Sequence, residues 1–286
     1  MIIDIHTHTF PAHVAERALR SMQGNSHTAL YADGTAEGLR KQRLAAGIDL
    51  AVVQPVATSP KQPVHINDSV LETNRHTRET GILSFGAMHP GFEGWEEELE
   101  RLAAAGVRGI KLHAPYEQTD MDAPRTVGIL RRCAELKLIV LIHSGWDVGL
   151  PGADQALPEK TRRALDRTGP VSLIAAHMGG WRCWEEAVRL LADTGVFIDT
   201  SFSIGRLKPA PDGWTWREEE LRMLSPAEAV DIMLAWGTDH VLFGTDSPWA
   251  DAGEEVRMIR ELPLSETEKK DILGENARRL LWGNLN

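Results

Sequence analysis

The chain is 286 residues long, with hydrophobic (42%), charged (25%) and glycine content ordinary for a soluble globular protein and enough for one large core. Its formal net charge of -10 argues against nucleic acid or an anionic membrane as partner, because either wants a basic face. No run of about 18 apolar residues and no basic-then-apolar leader is present; Cys133 and Cys183 are too few for a disulfide scaffold or a cysteine zinc site, so the expected setting is the reducing cytoplasm.

In chain order, eight apolar, β-branched stretches read as buried strands, at roughly 2–8, 50–54, 83–88, 107–113, 138–143, 171–177, 195–200 and 241–246. Helical patterns fall between them. Residues 39–46 stop at Gly47 and residues 95–105, with an acidic first turn, stop at Gly106; 127–137, 184–194 and 227–235 behave alike, the last two before Gly195 and Gly237. Strands alternating with helices imply a parallel sheet, and eight such units close into a (β/α)8 TIM barrel. No Ser/Gly/Pro-rich linker, composition shift or fixed-period repeat divides the chain, so residues 1–286 read as a single domain. Long connections follow strands one, two, five and seven, over about 9–38, 55–72, 144–160 and 201–226, and these can wall a pocket at the carboxyl-terminal face. The last, with Gly205, Pro209, Trp214 and Trp216, is the best candidate for a mobile lid.

Metal-type side chains recur where the apolar runs end. His6 and His8 close strand one, Lys111 and His113 lie on strand four, and His143, His177 and Asp246 end strands five, six and eight. The carboxyl ends of barrel strands are where such enzymes keep their active sites. Side chains alternate along a strand, so His6 and His8 share a face and can bind one ion, which His143 and Asp246 can complete. Three or four protein ligands with a position left for water describe a catalytic rather than a structural zinc. Any one of these histidines alone reads better as a buried polar residue with a hydrogen-bond partner; the ordered set does not.

The motifs His6-Thr7-His8, Gly109-Ile110-Lys111-Leu112-His113, His177-Met178-Gly179-Gly180, Phe243-Gly244-Thr245-Asp246 and the closing Gly274-Glu275-Asn276-Ala277-Arg278-Arg279-Leu280 together resemble the amidohydrolase superfamily. The resemblance is closest to amidohydrolase family 2, the branch holding aminocarboxymuconate-semialdehyde decarboxylase-like enzymes, and it covers nearly the whole chain. It implies that His6, His8, His143 and Asp246 bind a divalent metal, zinc before manganese, with Asp246 also accepting a proton. It makes His177 either a ligand to a second ion or the group that holds and deprotonates the attacking water. Lys111 would bridge two ions if carboxylated; as a plain ammonium it would pair with a carboxylate or a substrate, and one ion would suffice. The branch tips this reading to one ion.

His113, Lys111, Arg182 and Arg206 are candidate contacts for a small carboxylated substrate, and Trp146, Trp181 and Trp249, each just past a strand end, for its apolar part. The expected activity is hydrolysis of an amide, lactone or ester by metal-bound hydroxide. A non-oxidative decarboxylase of the same branch is the alternative, and a metal-holding protein that only binds is a second. The expected partner is a small molecule, with a homo-oligomer compatible with the chain.

Overall fold

A computed structural model describes residues 1–283 of the chain. Among these residues the strands are β1 (Ile3–Thr7), β2 (Leu50–Val53), β3 (Ile82–Ser84), β4 (Gly86–Ala87), β5 (Gly109–Leu112), β6 (Ile139–Ile142), β7 (Leu173–Ala175), β8 (Phe197–Asp199) and β9 (Val241–Leu242). The chain falls into two compact units. One comprises Met1–Val53, Val148–Pro151 and the described residues from Asp199 onward, the other Gln54–Asp147 and Gly152–Ile198.

In the first unit β1 is buried at all five positions, as expected of a parallel strand covered on both faces. It pairs in parallel with β2, Ile3 opposite Leu50 and Thr7 opposite Val53, with an irregularity between Asp4 and Thr7. Its opposite edge takes the backbone of residues 243–247: Ile5 N donates to Phe243 O (2.9 Å), Asp246 N to His6 O (2.8 Å) and His8 N to Ser247 O (2.7 Å). The helix Ala36–Ala46 leads into β2; Thr35 caps it by accepting from Gly38 N, and Gly47, in the left-handed region at φ 71°, ends it. The helix Pro226–Trp236 begins at a reciprocal capping box between Ser225 and Glu228, with Pro226 in its first turn.

In the second unit β4, β5, β6, β7 and the Phe197–Ile198 part of β8 pair in parallel in sequence order, with Ala87 opposite Lys111, Leu112 opposite Ile142 and Ala175 opposite Ile198. The helices Trp95–Ala104, Pro124–Leu136, Pro158–Thr168 and Trp184–Leu191 fill the four connections. β5 and β6 are buried at every position. Gly109 is glycine for space, because a Cβ there would lie 2.4 Å from Ile139 O and 2.7 Å from the Phe85 ring.

Each expected stretch contains a strand, and 83–88 holds two, broken at Phe85. The long connections are corrected. The helix Ala12–Ser26 occupies much of 9–38, Pro63–Arg75 begins inside 55–72, Pro158–Thr168 begins inside 144–160 and the single turn Glu218–Leu221 lies in 201–226. These helices bury few residues (Ala15, Leu19 and Ser26 in the first; Pro158, Thr161 and Ala164 in the third), mostly small or polar ones, so few large apolar side chains mark them in the sequence. Among the described residues no helix is long and apolar enough to cross a membrane.

Candidate metal centre and its surroundings

The first unit gathers three of the expected ligands. His6 and His8 share a face of β1, as the alternation requires, and their Nε2 atoms lie 3.2 Å apart. Asp246 stands in the left-handed region at φ 62°, and Oδ1 of its carboxylate lies 3.5 Å from His6 Nε2 and 3.1 Å from His8 Nε2. The rungs joining β1 to residues 243–247 fix this meeting. Asp4 strengthens them, accepting from Thr245 N (3.0 Å), Thr245 Oγ1 (2.7 Å) and His6 N (3.2 Å). Burial nevertheless pushes Asp4 up to about 7, against the lowering from its Thr245 bonds. Trp249 sets its edge against the His8 ring, centroids 5.4 Å apart.

The three donor atoms test directly whether an ion fits. A tetrahedral ion with bonds of about 2.0–2.1 Å has ligand-to-ligand edges near about 3.3–3.4 Å. The observed separations of 3.1, 3.2 and 3.5 Å lie close to those edges. Two imidazoles and one carboxylate also suit a borderline divalent cation. The surroundings favour positive charge: Glu255, nearby, is held well above the ordinary carboxylate range by burial and then by Asp4, Glu254, Asp251 and Asp246.

The second unit gathers the others. The His113 and His143 rings stack, centroids 4.4 Å apart and 14° from parallel, and Tyr116 meets His113 edge-on. Asp147 Oδ2 lies 3.4 Å from His113 Nε2 and 3.8 Å from His143 Nε2. His177, in the left-handed region at φ 61°, places Nε2 at 3.1 Å from His143 Nδ1. His143 Nε2 is 3.1 Å from Trp146 O. A pair of backbone bonds sets this arrangement, Trp181 N to Ser144 O (2.8 Å) and Trp146 N to Trp181 O (3.0 Å). The approach is so close that a Cβ on Gly145 would lie 2.2 Å from Trp181 N. The guanidinium of Arg182 sits 4.8 Å above the Trp181 ring, a cation–π contact.

Lys111 is 1% exposed, and its positive charge lowers the pKa of the buried Glu117. Burial wins all the same: Glu117 is pushed up to about 8 although it also accepts from His113 N. Arg206 pairs with Glu218 within the 201–226 connection. There Trp214 stacks on His27 at 4.1 Å, Trp216 Nε1 donates to His27 O, and Asp212 bonds His27 Nδ1 at 2.8 Å.

Sequence reasoning missed Asp4, Glu117, Asp147, Asp199 and Ser201. Asp199 had a readable signal: it ends the seventh apolar run, as His143 and His177 end theirs, with Ser201 two residues on and so on the same face. Asp147 had none, since its position depends on the exchange between residues 144–146 and 181.

The family model for amidohydrolases matches residues 3–282. No curated protein sequence matches the chain significantly. Among solved structures, an uncharacterised TIM-barrel protein from Bordetella bronchiseptica is similar at 16% identity over 98% of both chains, TM-score 0.74. A 5-carboxyvanillate decarboxylase from Novosphingobium aromaticivorans, complexed with manganese and 4-hydroxy-3-methoxy-5-nitrobenzoic acid, is similar at 16% identity over 98% of this chain and 96% of that one, TM-score 0.67. A proposed 2-pyrone-4,6-dicarboxylic acid hydrolase from Pseudomonas putida is similar at 19% identity over 100% and 98%, TM-score 0.64. The fold is the TIM-barrel class that the strand and helix order implied.

Proposed function

The chain belongs to the amidohydrolase family, and from that membership we propose that it is a metal-dependent decarboxylase. Its substrate would be a small aromatic or conjugated carboxylic acid, from which carbon dioxide is removed without an oxidant. The observation that carries the reading is the set of donor atoms on His6, His8 and Asp246, spaced as the edges of one coordination polyhedron. These three would hold one divalent ion, zinc or manganese. When bound, it supplies positive charge that anchors an anionic substrate and stabilises the charge developing as the carbon–carbon bond breaks.

Loss of carbon dioxide leaves an electron pair on carbon, and a proton must replace the carboxyl group. The Asp246 carboxylate, 13% exposed beside the two imidazoles, can carry one. Within the second unit, His177 Nε2 lies 3.1 Å from His143 Nδ1, an imidazole pair that can pass a proton between its rings. Trp249 against His8 provides an apolar wall suited to an aromatic ring. The manganese-containing carboxyvanillate decarboxylase of the same fold supports this reading.

Lys111, whose charge lowers Glu117, is read as an ammonium set near a carboxyl group, in keeping with a single ion. Hydrolysis of a lactone remains the second reading, favoured by the likeness to the proposed pyrone dicarboxylate hydrolase. A panel of hydroxybenzoates, conjugated acids and lactones separates the two when assayed with metal-loaded protein. Carbon dioxide release with loss of one carboxyl group is expected; acid release without carbon dioxide would overturn the decarboxylase reading.

A further inference from the structure

His6 has a second face. Its Nδ1 lies 2.9 Å from Asp199 Oδ2 and 3.0 Å from Ser201 Oγ, and all three side chains are buried. Ser201 is itself committed. Its hydroxyl donates to Asp199 Oδ1 at 2.5 Å and its backbone N–H donates to the same oxygen at 3.1 Å. A hydroxyl whose proton is spent on Asp199 can only accept from His6, and an ionised carboxylate can only accept. Both contacts therefore call for the ring proton to be on Nδ1.

The backbone around this pair is fixed independently. Thr200 N donates to Leu242 O (3.0 Å), and Thr200 Oγ1 lies 3.1 Å from both Gly244 N and Gly244 O. Gly244 is glycine because a Cβ there would come within 3.0 Å of His6 Cβ and 3.4 Å of the Cβ atoms of Asp199 and Ser201. The missing side chain lets the three groups converge.

We propose that Asp199 and Ser201 are a positioning pair that holds His6 as its Nδ1–H tautomer and aims its Nε2 lone pair at the position shared with His8 and Asp246. The inference rests on the metal-centre reading of that trio. A carboxylate behind a ligating imidazole fixes its tautomer and orientation and raises its basicity. Here the serine completes the cradle, accepting from the same Nδ1–H while it donates to the carboxylate.

The test is zinc affinity by competition with a chromophoric chelator, with the tautomer of His6 read by long-range nitrogen–proton NMR of the metal-free protein. Asp199→Asn keeps the volume and removes the charge; it is expected to weaken zinc binding about 10–100-fold and to let the Nε2–H tautomer of His6 appear. Ser201→Ala is expected to lose less, since the carboxylate remains. Asp199→Glu, which restores the charge at a shifted position, should recover part of the affinity, which a purely structural role would not explain. Wild-type affinity in Asp199→Asn, or an unchanged His6 tautomer, overturns the inference. His6→Ala separates the two failures: if it too binds zinc like wild type, the metal-centre reading falls; if it loses zinc while Asp199→Asn does not, only the positioning role falls.

Discussion

Glu117 carries a pH dependence that one substitution can expose. Burial raises its carboxyl to about 8, against about 4.5 in an unfolded chain. Between those values the folded protein holds a proton that the unfolded chain has released, so stability is greatest at the acid end and falls as pH rises towards 8. The span corresponds to at most about 5 kcal/mol, at about 1.4 kcal/mol per unit. Glu117→Gln keeps an oxygen for the His113 N–H and removes the titration. Urea unfolding of both proteins at pH 5 and pH 8.5 should show a smaller loss of stability in the variant; equal losses would contradict the assignment. Lys111→Met removes the charge that lowers Glu117, so the variant should become still more sensitive above pH 8 in the same unfolding series. The residues differ in how legible they were. His6, His8 and Asp246 could be read because they end apolar runs and share a strand face. Glu117 could not, because its role comes from a turn after β5 that folds its carboxylate back onto its own strand.

Elements were legible where they carry an apolar face or a chemical stop. The helix Pro226–Trp236 announces itself by Ser225, Pro226 and Glu228, and Ala36–Ala46 by Gly47. Pro158–Thr168 does not, because its eleven residues are mostly charged and no side chain caps its start. Loop geometry was opaque for a different reason: it is set by backbone exchange with distant segments. Gly145 shows this, standing at φ 88° with Trp181 N where its Cβ would be. Gly145→Ala is therefore expected to cost about 3 kcal/mol or more, from strain and displaced backbone together; a change under about 0.5 kcal/mol in chemical denaturation would contradict it. The 201–226 connection was read as a lid. It is tied through Trp214, Trp216 and Asp212 to His27, and any opening must break those contacts. His27→Ala is expected to speed proteolysis within 207–216 several-fold; an unchanged cleavage rate would show that the anchor does not hold the segment.

For the whole chain, alternation of buried strands with helices was sufficient to imply the barrel class, because each apolar run must be covered on both faces. Membership of the amidohydrolase family follows the same order of motifs from residue 3 to residue 282. The substrate was not legible: the connections after the strands follow paths set by backbone bonds such as that of Trp181 N to Ser144 O, which no local pattern encodes. The proposed chemistry rests on the trio of His6, His8 and Asp246. Its most direct test is metal content by elemental analysis of wild type, His6→Ala and Asp246→Ala after chelation, reloading with zinc or manganese and removal of excess, with folding checked by circular dichroism. One ion per chain in wild type and its loss from both folded variants is the expected result; wild-type metal content in both variants would contradict it.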